Sequence, residues 1–471
     1  MKKCNMKREC AAIFLCTKSV NSHTKKGECQ FMHIRMITEE LKGKRIWILG
    51  FGREGRSSLR YITRHLPEAQ VYVADANMGL EEELRQLLPD GHYVLGPDYL
   101  QAAGCADLVL QSPGVCLKDH LELFEGVQLT SQTELFLKTY RDQCIAVTGT
   151  KGKSTTSSLI SHLLEETGHE VLFGGNIGLP LFELIPQITP RTRIVLELSC
   201  HQLEFAKVSP HIAVLLNLFE EHLDHYEDYG AYQRAKYNIA LYQRPDDCFI
   251  TSAADERIAR LRQSHPTVSR NVLFRAENLP QALRTENFPL KGEHNRLNAF
   301  AALLAVQAAD PQVETAEWLR AMQSFRSLPH RLEYVGCVRG IRFYNDSIST
   351  IPQAAIAAVE AVGEVDTLIL GGMDRGIDYT PLRELFLHSE VHNFLFTGAA
   401  GRRMMALAGG AEGKHLAFFE KYEDIAEAAF RLTREGRVCL LSPAAPSYDA
   451  FRNFEERGDV FKKLVLLRLQ K

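Results

Sequence analysis

The sequence predicts an α/β protein of three domains, each built on a mainly parallel sheet. Three observations predict it. The first glycine-rich turn, Gly50-Phe51-Gly52-Arg53-Glu54-Gly55, lies between the apolar run Ile46-Trp47-Ile48-Leu49 and a segment with Leu59, Ile62 and Leu66 at helical spacing. A second, Gly149-Thr150-Lys151-Gly152-Lys153-Ser154-Thr155, lies between Cys144-Ile145-Ala146-Val147 and a segment with Leu159, Ile160, Leu163 and Leu164. In the last third, Thr367-Leu368-Ile369-Leu370, Asn393-Phe394-Leu395-Phe396 and Val438-Cys439-Leu440-Leu441 alternate with helical stretches, the pattern of a doubly wound sheet.

Size and composition fit this class. The 471 residues are 45% hydrophobic and 24% charged, enough for roughly two to four domains with their own cores. A net charge of −3 gives no global field that favours nucleic acid or an acidic membrane surface. No apolar run approaches the ~18 to 20 residues of a membrane span. Small-molecule substrates, no nucleic acid, no membrane insertion and a monomer are therefore expected. Of the eleven cysteines, Cys144, Cys248 and Cys439 sit inside apolar runs, as reduced core residues of a cytoplasmic protein do. Residues 1–37 are basic and hold Cys4, Cys10, Cys16 and Cys29 without a CxxC pair or a sustained period. They are expected to be a disordered tail, or to precede a true start at Met32 or Met36.

Residues 38–136 form the first predicted domain, Rossmann-like. After the glycine turn, a second strand, Val71-Tyr72-Val73-Ala74, ends at Asp75. Glycines for the turn and an acid to meet a ribose hydroxyl make the dinucleotide fingerprint. Alone it suggests NAD, but the same geometry holds any diphosphate. Asp107-Leu108-Val109-Leu110-Gln111-Ser112-Pro113-Gly114 is a further strand and turn, placed where an open α/β sheet holds its ligand.

The central domain, residues 137–310, opens on the phosphate loop. Its backbone N–H groups and helix start face an anion, Lys153 adds charge, and Ser154 or Thr155 offers a hydroxyl to Mg²⁺. Val147 stands where the full GxxxxGK[ST] pattern has its first glycine, so this is a shortened loop. Glu197, at the end of the strand Ile194-Val195-Leu196, is a natural Mg²⁺ ligand beside such a loop. Downstream come Gly174-Gly175-Asn176-Ile177-Gly178 and Asn217-Leu218-Phe219-Glu220-Glu221-His222-Leu223-Asp224-His225-Tyr226, a loop whose histidines and acids can ligate metal but are more often merely solvated. Lys236 lies on a predicted helix, ordinarily as a surface charge. Asn295 and Asn298, three apart in Gly292-Glu293-His294-Asn295-Arg296-Leu297-Asn298, share a helix face and can present amides to a purine or ribose.

The order GTKGKST, GGNIG, ELSCHQLE, NLFEEHLDHY, a lysine about a dozen residues on and GEHNRLN resembles the Mur ligase family over nearly all of residues 40–471, and most of all its glutamate-adding members. The resemblance implies ATP and Mg²⁺ in the central domain, with Gly149, Thr150, Lys151, Gly152, Lys153, Ser154 and Thr155 around the phosphates. It implies metal ligation by Ser154, Thr155, Glu197, His222 and a carbamylated Lys236, and ATP contacts from Asn295, Asn298, Arg331 and Asp346. It assigns a UDP-sugar to Gly50, Phe51, Gly52, Arg53, Glu54, Asp75, Ser112, Pro113, Asn176, Ser199 and Gln202, where the fingerprint alone suggested NAD. The implied reaction joins glutamate to UDP-N-acetylmuramoyl-L-alanine through an acyl phosphate, in the synthesis of peptidoglycan precursors.

Residues 311–471 form the C-terminal domain and carry further family-like motifs: Leu328-Pro329-His330-Arg331, Asn345-Asp346-Ser347, Gly371-Gly372-Met373-Asp374-Arg375-Gly376, Ser442-Pro443-Ala444-Ala445-Pro446-Ser447 and Asn453-Phe454-Glu455-Glu456-Arg457-Gly458. By the resemblance, Thr350, Arg375, Ser447 and Phe454 form the glutamate pocket, and an arginine suits a carboxylate. One motif departs: where the family has Asn-Asp-Ser-Lys-Ala-Thr-Asn, this chain has Asn345-Asp346-Ser347-Ile348-Ser349-Thr350-Ile351. A cation and an amide have become isoleucines beside the amino-acid site. D-glutamate is the expected substrate, and L-glutamate is the alternative that this departure raises. An NAD-dependent oxidoreductase, a folate polyglutamate synthase and a non-catalytic nucleotide-binding subunit are the remaining readings.

Overall fold

The computed structural model describes residues 33–221, 225–285, 288–290, 292–326 and 328–468. Three sheets carry the chain. The first has strands β1 (Arg45–Leu49), β2 (Gln70–Asp75), β3 (Tyr93–Leu95), β4 (Leu108–Gln111) and β5 (Gln128–Thr130), parallel throughout in the order β3-β2-β1-β4-β5. The second has β6 (Cys144–Thr148), β7 (Val171–Gly175), β8 (Arg193–Glu197), β9 (Ile212–Leu215), β10 (Cys248–Ser252) and β11 (Arg270–Phe274), parallel in the order β11-β10-β9-β6-β8-β7. The third has β12 (Glu333–Val338), β13 (Ile341–Asn345), β14 (Val365–Gly371), β15 (Asn393–Thr397), β16 (His415–Phe418) and β17 (Val438–Leu441), in the order β12-β13-β17-β14-β15-β16. Only β12 there is antiparallel, to β13. The expected α/β class with three mainly parallel sheets is what the chain adopts. Among the described residues, no helix is long and apolar enough to cross a membrane.

Continuous apolar runs become central strands because helices cover both faces of a parallel sheet. Every residue of β6, β9, β15 and β17 is buried. In the third sheet the side chains alternate between two cores: Leu368, Leu370, Phe394 and Phe396 pack on one face, Ile369, Leu395 and Leu441 on the other.

The chain divides into two compact units, residues up to 275 with 301–318, and residues 276–300 with 319 onward. The first two sheets share one unit and one core, which runs from Ile46 and Ile48 through Leu135, Phe136 and Tyr140 to Ala146 and Leu196. Helix Gln132–Tyr140 therefore crosses the predicted boundary at residue 136. Ser131 caps it by accepting from the Glu134 N–H at 3.1 Å, and no linker separates the two sheets.

The predicted tail is also shorter at its C-terminal end. Residues 33–41 are helical, with Ile37 and Leu41 fully buried in the shared core and Ile34 packed against it. These three lie on one stripe at i, i+3 and i+7, a short signal masked in the sequence by the interleaved Arg35, Glu39, Glu40 and Lys42. Residues 1–32, including the candidate start Met32 and the four early cysteines, lie outside the described residues, whereas the other candidate start, Met36, falls inside this helix. Leu41→Ala is expected to destabilise the protein by about 2–5 kcal/mol, measured as a lowered thermal midpoint.

Candidate active site

The phosphate loop is fixed from two sides before any ligand arrives. Strand β6 delivers the chain to Gly149, and helix Lys153–Glu166 starts after Gly152. The segment following β9 pins the loop: Thr150 N–H donates to the Asn217 carbonyl at 3.0 Å, and Lys151 N–H donates to the Asn217 side chain at 2.9 Å. The Thr150 hydroxyl accepts from the Phe219 N–H at 2.8 Å and meets the Tyr232 hydroxyl at 2.8 Å. Lys151 pairs with Glu221. Ser154 and Thr155 lie buried in the first helical turn, whose N–H groups suit an anion.

Two lysines converge on this loop. Lys153 Nζ folds back to the carbonyls of Gly149 and Thr150, both at 3.0 Å, and Lys236 Nζ reaches the same Gly149 carbonyl at 3.0 Å. Lys236 is not a surface charge, as its helical position alone suggested. It is fully buried on helix Tyr229–Leu241, with its amine over the Tyr232 ring at 5.0 Å. Burial first, and the neighbouring Lys153 charge second, push its amine down to about 7. Burial also lowers Lys153. Tyr232 was not singled out in the sequence, although its place four residues before Lys236 puts it on the same helix face.

Glu197 completes this side. The β6–β8 register sets it opposite Val147, at the mouth of the loop. It is 1% exposed; Oε1 accepts from the Asn176 amide at 2.7 Å, and Oε2 is buried with no hydrogen-bond partner. An enclosed carboxylate oxygen without a donor is what a cation relieves. Asn176 reaches Glu197 because Gly175 admits close contact: a Cβ there would stand 2.3 Å from the Glu197 carbonyl oxygen. His222 lies outside the described residues.

Asn176 also lines a cavity of 420 Å³ between the carboxyl ends of the first two sheets. Gly50, Gly52, Arg53, Glu54, Asp75, Ser112, Pro113 and Gln202 share that lining. Of the expected sugar-nucleotide residues, Phe51 and Ser199 stand outside it. Phe51 is buried, and Ser199 forms a capping box with Gln202. The turn is tight because Gly55 lies against it; a Cβ there would meet the Gly50 carbonyl oxygen at 2.2 Å. Asp75 differs from the fingerprint expectation: its carboxylate accepts the N–H groups of Phe51 at 2.6 Å and Asn77 at 2.7 Å, bracing the turn itself. Gln202 Nε2 donates to Glu54 Oε1 at 2.6 Å.

The second unit holds the other expected residues. Asn295 and Asn298 lie buried on helix Glu293–Ala309, and the Asn298 amide donates to Asn295 at 3.3 Å. Arg331 sits between His330 and Leu332, both with left-handed backbone at φ 62° and 45°. Asp346 accepts from Leu332 N–H at 3.1 Å and from the Ser442 hydroxyl at 2.8 Å. Arg375 is exposed with its guanidinium over the Tyr448 ring at 5.5 Å, Ser447 is buried, and Thr350 and Phe454 are half-buried. Ile348 and Ile351 are half-buried as well, the latter capping helix Pro352–Val362. Arg457 was overlooked inside its quoted motif. Fully buried, it donates to the Ser347 hydroxyl at 2.9 Å and to the carbonyls of Ser347, Ala445 and Gly371 at 2.7, 3.0 and 3.4 Å.

Burial raises the Asp346 carboxyl to about 6, against the hydrogen bonds from Ser349, Ser442 and Leu332. Its folded value exceeds the unfolded value of about 3.9, so the folded state holds the extra proton between them. Stability therefore falls as pH rises through that window. Asp346→Asn keeps an acceptor for Leu332 and removes the charge. Its thermal midpoint relative to wild type should rise from pH 4 to pH 6 and then level off.

Residues 147–306 match the family model for the Mur ligase middle domain. A UDP-N-acetylmuramoylalanine–D-glutamate ligase of Geotalea uraniireducens is 35% identical over 452 residues, 90% of this chain and 98% of that protein. A UDP-N-acetylmuramoyl-L-alanine–L-glutamate ligase of a Micromonospora species is 35% identical over 454 residues, 91% of this chain and 98% of that protein. The MurF ligase of Thermotoga maritima in complex with ADP has the same fold, with a TM-score of 0.56 at 16% identity over 92% of this chain and 97% of that one. Both relatives align over at least 90% of this chain and 98% of their own length, and the middle-domain match falls on the loop that gathers Lys153, Glu197 and Lys236: the chain belongs to the Mur ligase family.

Proposed function

We infer that this protein is an ATP-dependent ligase that joins glutamate, by preference D-glutamate, to UDP-N-acetylmuramoyl-L-alanine in the cytoplasm, within peptidoglycan precursor synthesis. The observation that carries this reading is Asn176, whose amide belongs at once to the 420 Å³ cavity and to Glu197 at the phosphate loop. A sugar nucleotide in the cavity brings its acyl end toward that loop. An oxidoreductase leaves Glu197, Lys153 and the buried Lys236 without a task. A folate polyglutamate synthase leaves the five-stranded sheet and its cavity without one.

Amide formation from a carboxylate is uphill in water, so the acid must be activated. The alanyl carboxylate oxygen attacks the γ-phosphorus of ATP, the bond to the β,γ-bridging oxygen breaks, and ADP leaves an acyl phosphate. The neutral amine of glutamate then attacks the acyl carbon, releases phosphate and gives up a proton. Two anions must meet in the first step. Lys153, held at the loop, is the cation that receives the γ-phosphate, with the loop and helix N–H groups around the phosphates. The enclosed Oε2 of Glu197 and the hydroxyls of Ser154 and Thr155 are hard oxygen donors that fit Mg²⁺. When bound there, the ion supplies charge neutralisation between carboxylate and phosphate. Lys236 is a buried amine with a depressed pKa. Its neutral form can form a nitrogen–carbon bond to carbon dioxide and release one proton, which would make it an anionic carbamate beside Lys153 instead of a second cation. In this reading Asn295, Asn298, Arg331 and Asp346 contact ATP, and Thr350, Arg375, Ser447 and Phe454 hold glutamate.

The L-glutamate reading rests on Ile348 and Ile351, which replace the family's cation and amide, and on relatives of both kinds at equal identity. Phosphate release from ATP with UDP-N-acetylmuramoyl-L-alanine and each glutamate enantiomer tests both. Faster turnover of D-glutamate is expected. Faster L-glutamate turnover selects the second reading, and no release with either enantiomer refutes both. Lys236→Ala should lose activity by at least about a hundredfold, the scale of losing a metal-ligand partner, and regain part of it with added short-chain carboxylates. Full activity without them would refute the carbamate.

A further inference from the structure

Glu54 stands in the glycine turn of the first sheet, where the helix Arg53–His65 begins. Its Oε1 accepts from Gln202 Nε2 at 2.6 Å, while Oε2 is buried with no hydrogen-bond partner. No cation is bonded to it among the described residues. Arg53, next in the chain, sends its guanidinium to the Gly178 carbonyl. Every packed element presents a group here: Gln132 on helix Gln132–Tyr140, which donates to the Glu54 carbonyl at 3.4 Å, Gln202 from the segment after β8, Asn176 from the end of β7, and Asp75 and Tyr99 from the first sheet's side of the cavity. Arg53 is the positive group in this set, and Asp75 is negative.

This arrangement is unsuited to a carboxylate anion. One oxygen has a single neutral donor and the other has none, so ionisation would leave charge uncompensated in an enclosed space. It is also unsuited to a second negative charge nearby. The turn and the first helical N–H groups around Glu54 face the cavity that, on the reading given above, takes a nucleotide diphosphate.

We propose that Glu54 serves this cavity as an uncharged carboxylic acid, and that its proton gates affinity for the sugar nucleotide: the neutral form accepts the diphosphate and the ionised form repels it. The proposal rests on the sugar-nucleotide reading of the cavity. Burial raises the carboxyl to about 7 against the opposing effects of Gln202 and Arg53, which brings the gate into the working range of pH. Linkage then runs both ways: a bound diphosphate holds the Glu54 proton more tightly, and loss of that proton weakens the diphosphate by the same factor.

The test uses the full chain and UDP-N-acetylmuramoyl-L-alanine without ATP. That ligand has no group titrating between about pH 6.5 and 8.5, because its diphosphate is a diester and its carboxylate is already ionised. Calorimetric Kd for wild type should weaken by roughly tenfold or more across that range. Binding at pH 8 should take up close to one proton, read from the dependence of the heat on buffer. Glu54→Gln keeps an acceptor for Gln202 and removes the charge; its Kd should be flat, with no proton uptake and tighter binding than wild type at pH 8.5. Lys236 titrates in the same range but is unaltered in this variant, so a slope that survives the substitution belongs elsewhere and overturns the proposal. A pH-independent wild-type Kd without proton uptake overturns it too, and needs no variant to fold. Failure of both proteins to bind the nucleotide at any pH overturns the reading of the cavity itself.

Discussion

The Gly149 carbonyl accepts hydrogen bonds from two lysines, the half-buried Lys153 and the buried Lys236, at 3.0 Å each, and this shared acceptor governs the rest of the site. Two ammonium groups on one oxygen repel, and burial amplifies the repulsion by removing solvent screening. The chain answers by lowering the proton affinity of both, most visibly at Lys236. It also sets Glu197 against the same loop with one oxygen left without a partner. The loop is braced from β9 and from helix Tyr229–Leu241, so its carbonyls cannot turn away. The result is a set of unsettled charges at fixed places, which on the proposed reading ATP and its counter-ion resolve together. Electrostatic preorganisation of this kind lowers the barrier to joining two anions without moving the scaffold.

The fold was legible where the sequence repeats a physical pattern. Strand, glycine turn and helix recur at Gly50 and Gly149, and the alternating runs after Thr367 follow the same logic. The place of Glu197 at the end of a buried strand beside the loop was legible from the apolar run that precedes it. Burial of a charged residue is harder to read. Lys236 stands on a helix of weak amphipathicity among alanines and tyrosines, and only tertiary packing removes it from water. Asp75 was visible as a fingerprint acid, but its two backbone donors follow from the closeness of β1 and β2, which no local spacing encodes. The helix at 33–41 escaped because three apolar residues on one stripe are too few to stand out against charged neighbours. The predicted boundary at residue 136 falls inside an element for a related reason: helix Gln132–Tyr140 packs against two sheets at once, so composition does not change there.

Arg457 shows the same limit from another side. Its motif was plain in the sequence, yet a guanidinium whose hydrogen bonds among the described residues go to a hydroxyl and carbonyls gives spacing no carboxylate pair to read. In the structure it joins four segments, the one beginning at Asn345, the Gly371 turn, the Ser442–Ser447 run and its own helix. The fork of an arginine suits this work, because its donors are rigid and diverge in a plane.

That hub bears on how such an enzyme diversifies. Arg457 grips Ser347 through backbone and hydroxyl, so the path of the chain through Ile348 and Thr350 does not depend on which side chains follow Ser347. Positions on a frame held in this way can exchange lysine for isoleucine without collapse of the loop. New specificities become reachable by single steps that leave the fold intact. On the reading that places glutamate beside Thr350, a change in the handedness of the amino acid then needs only a few neighbouring codons, provided the arginine that holds the frame is kept.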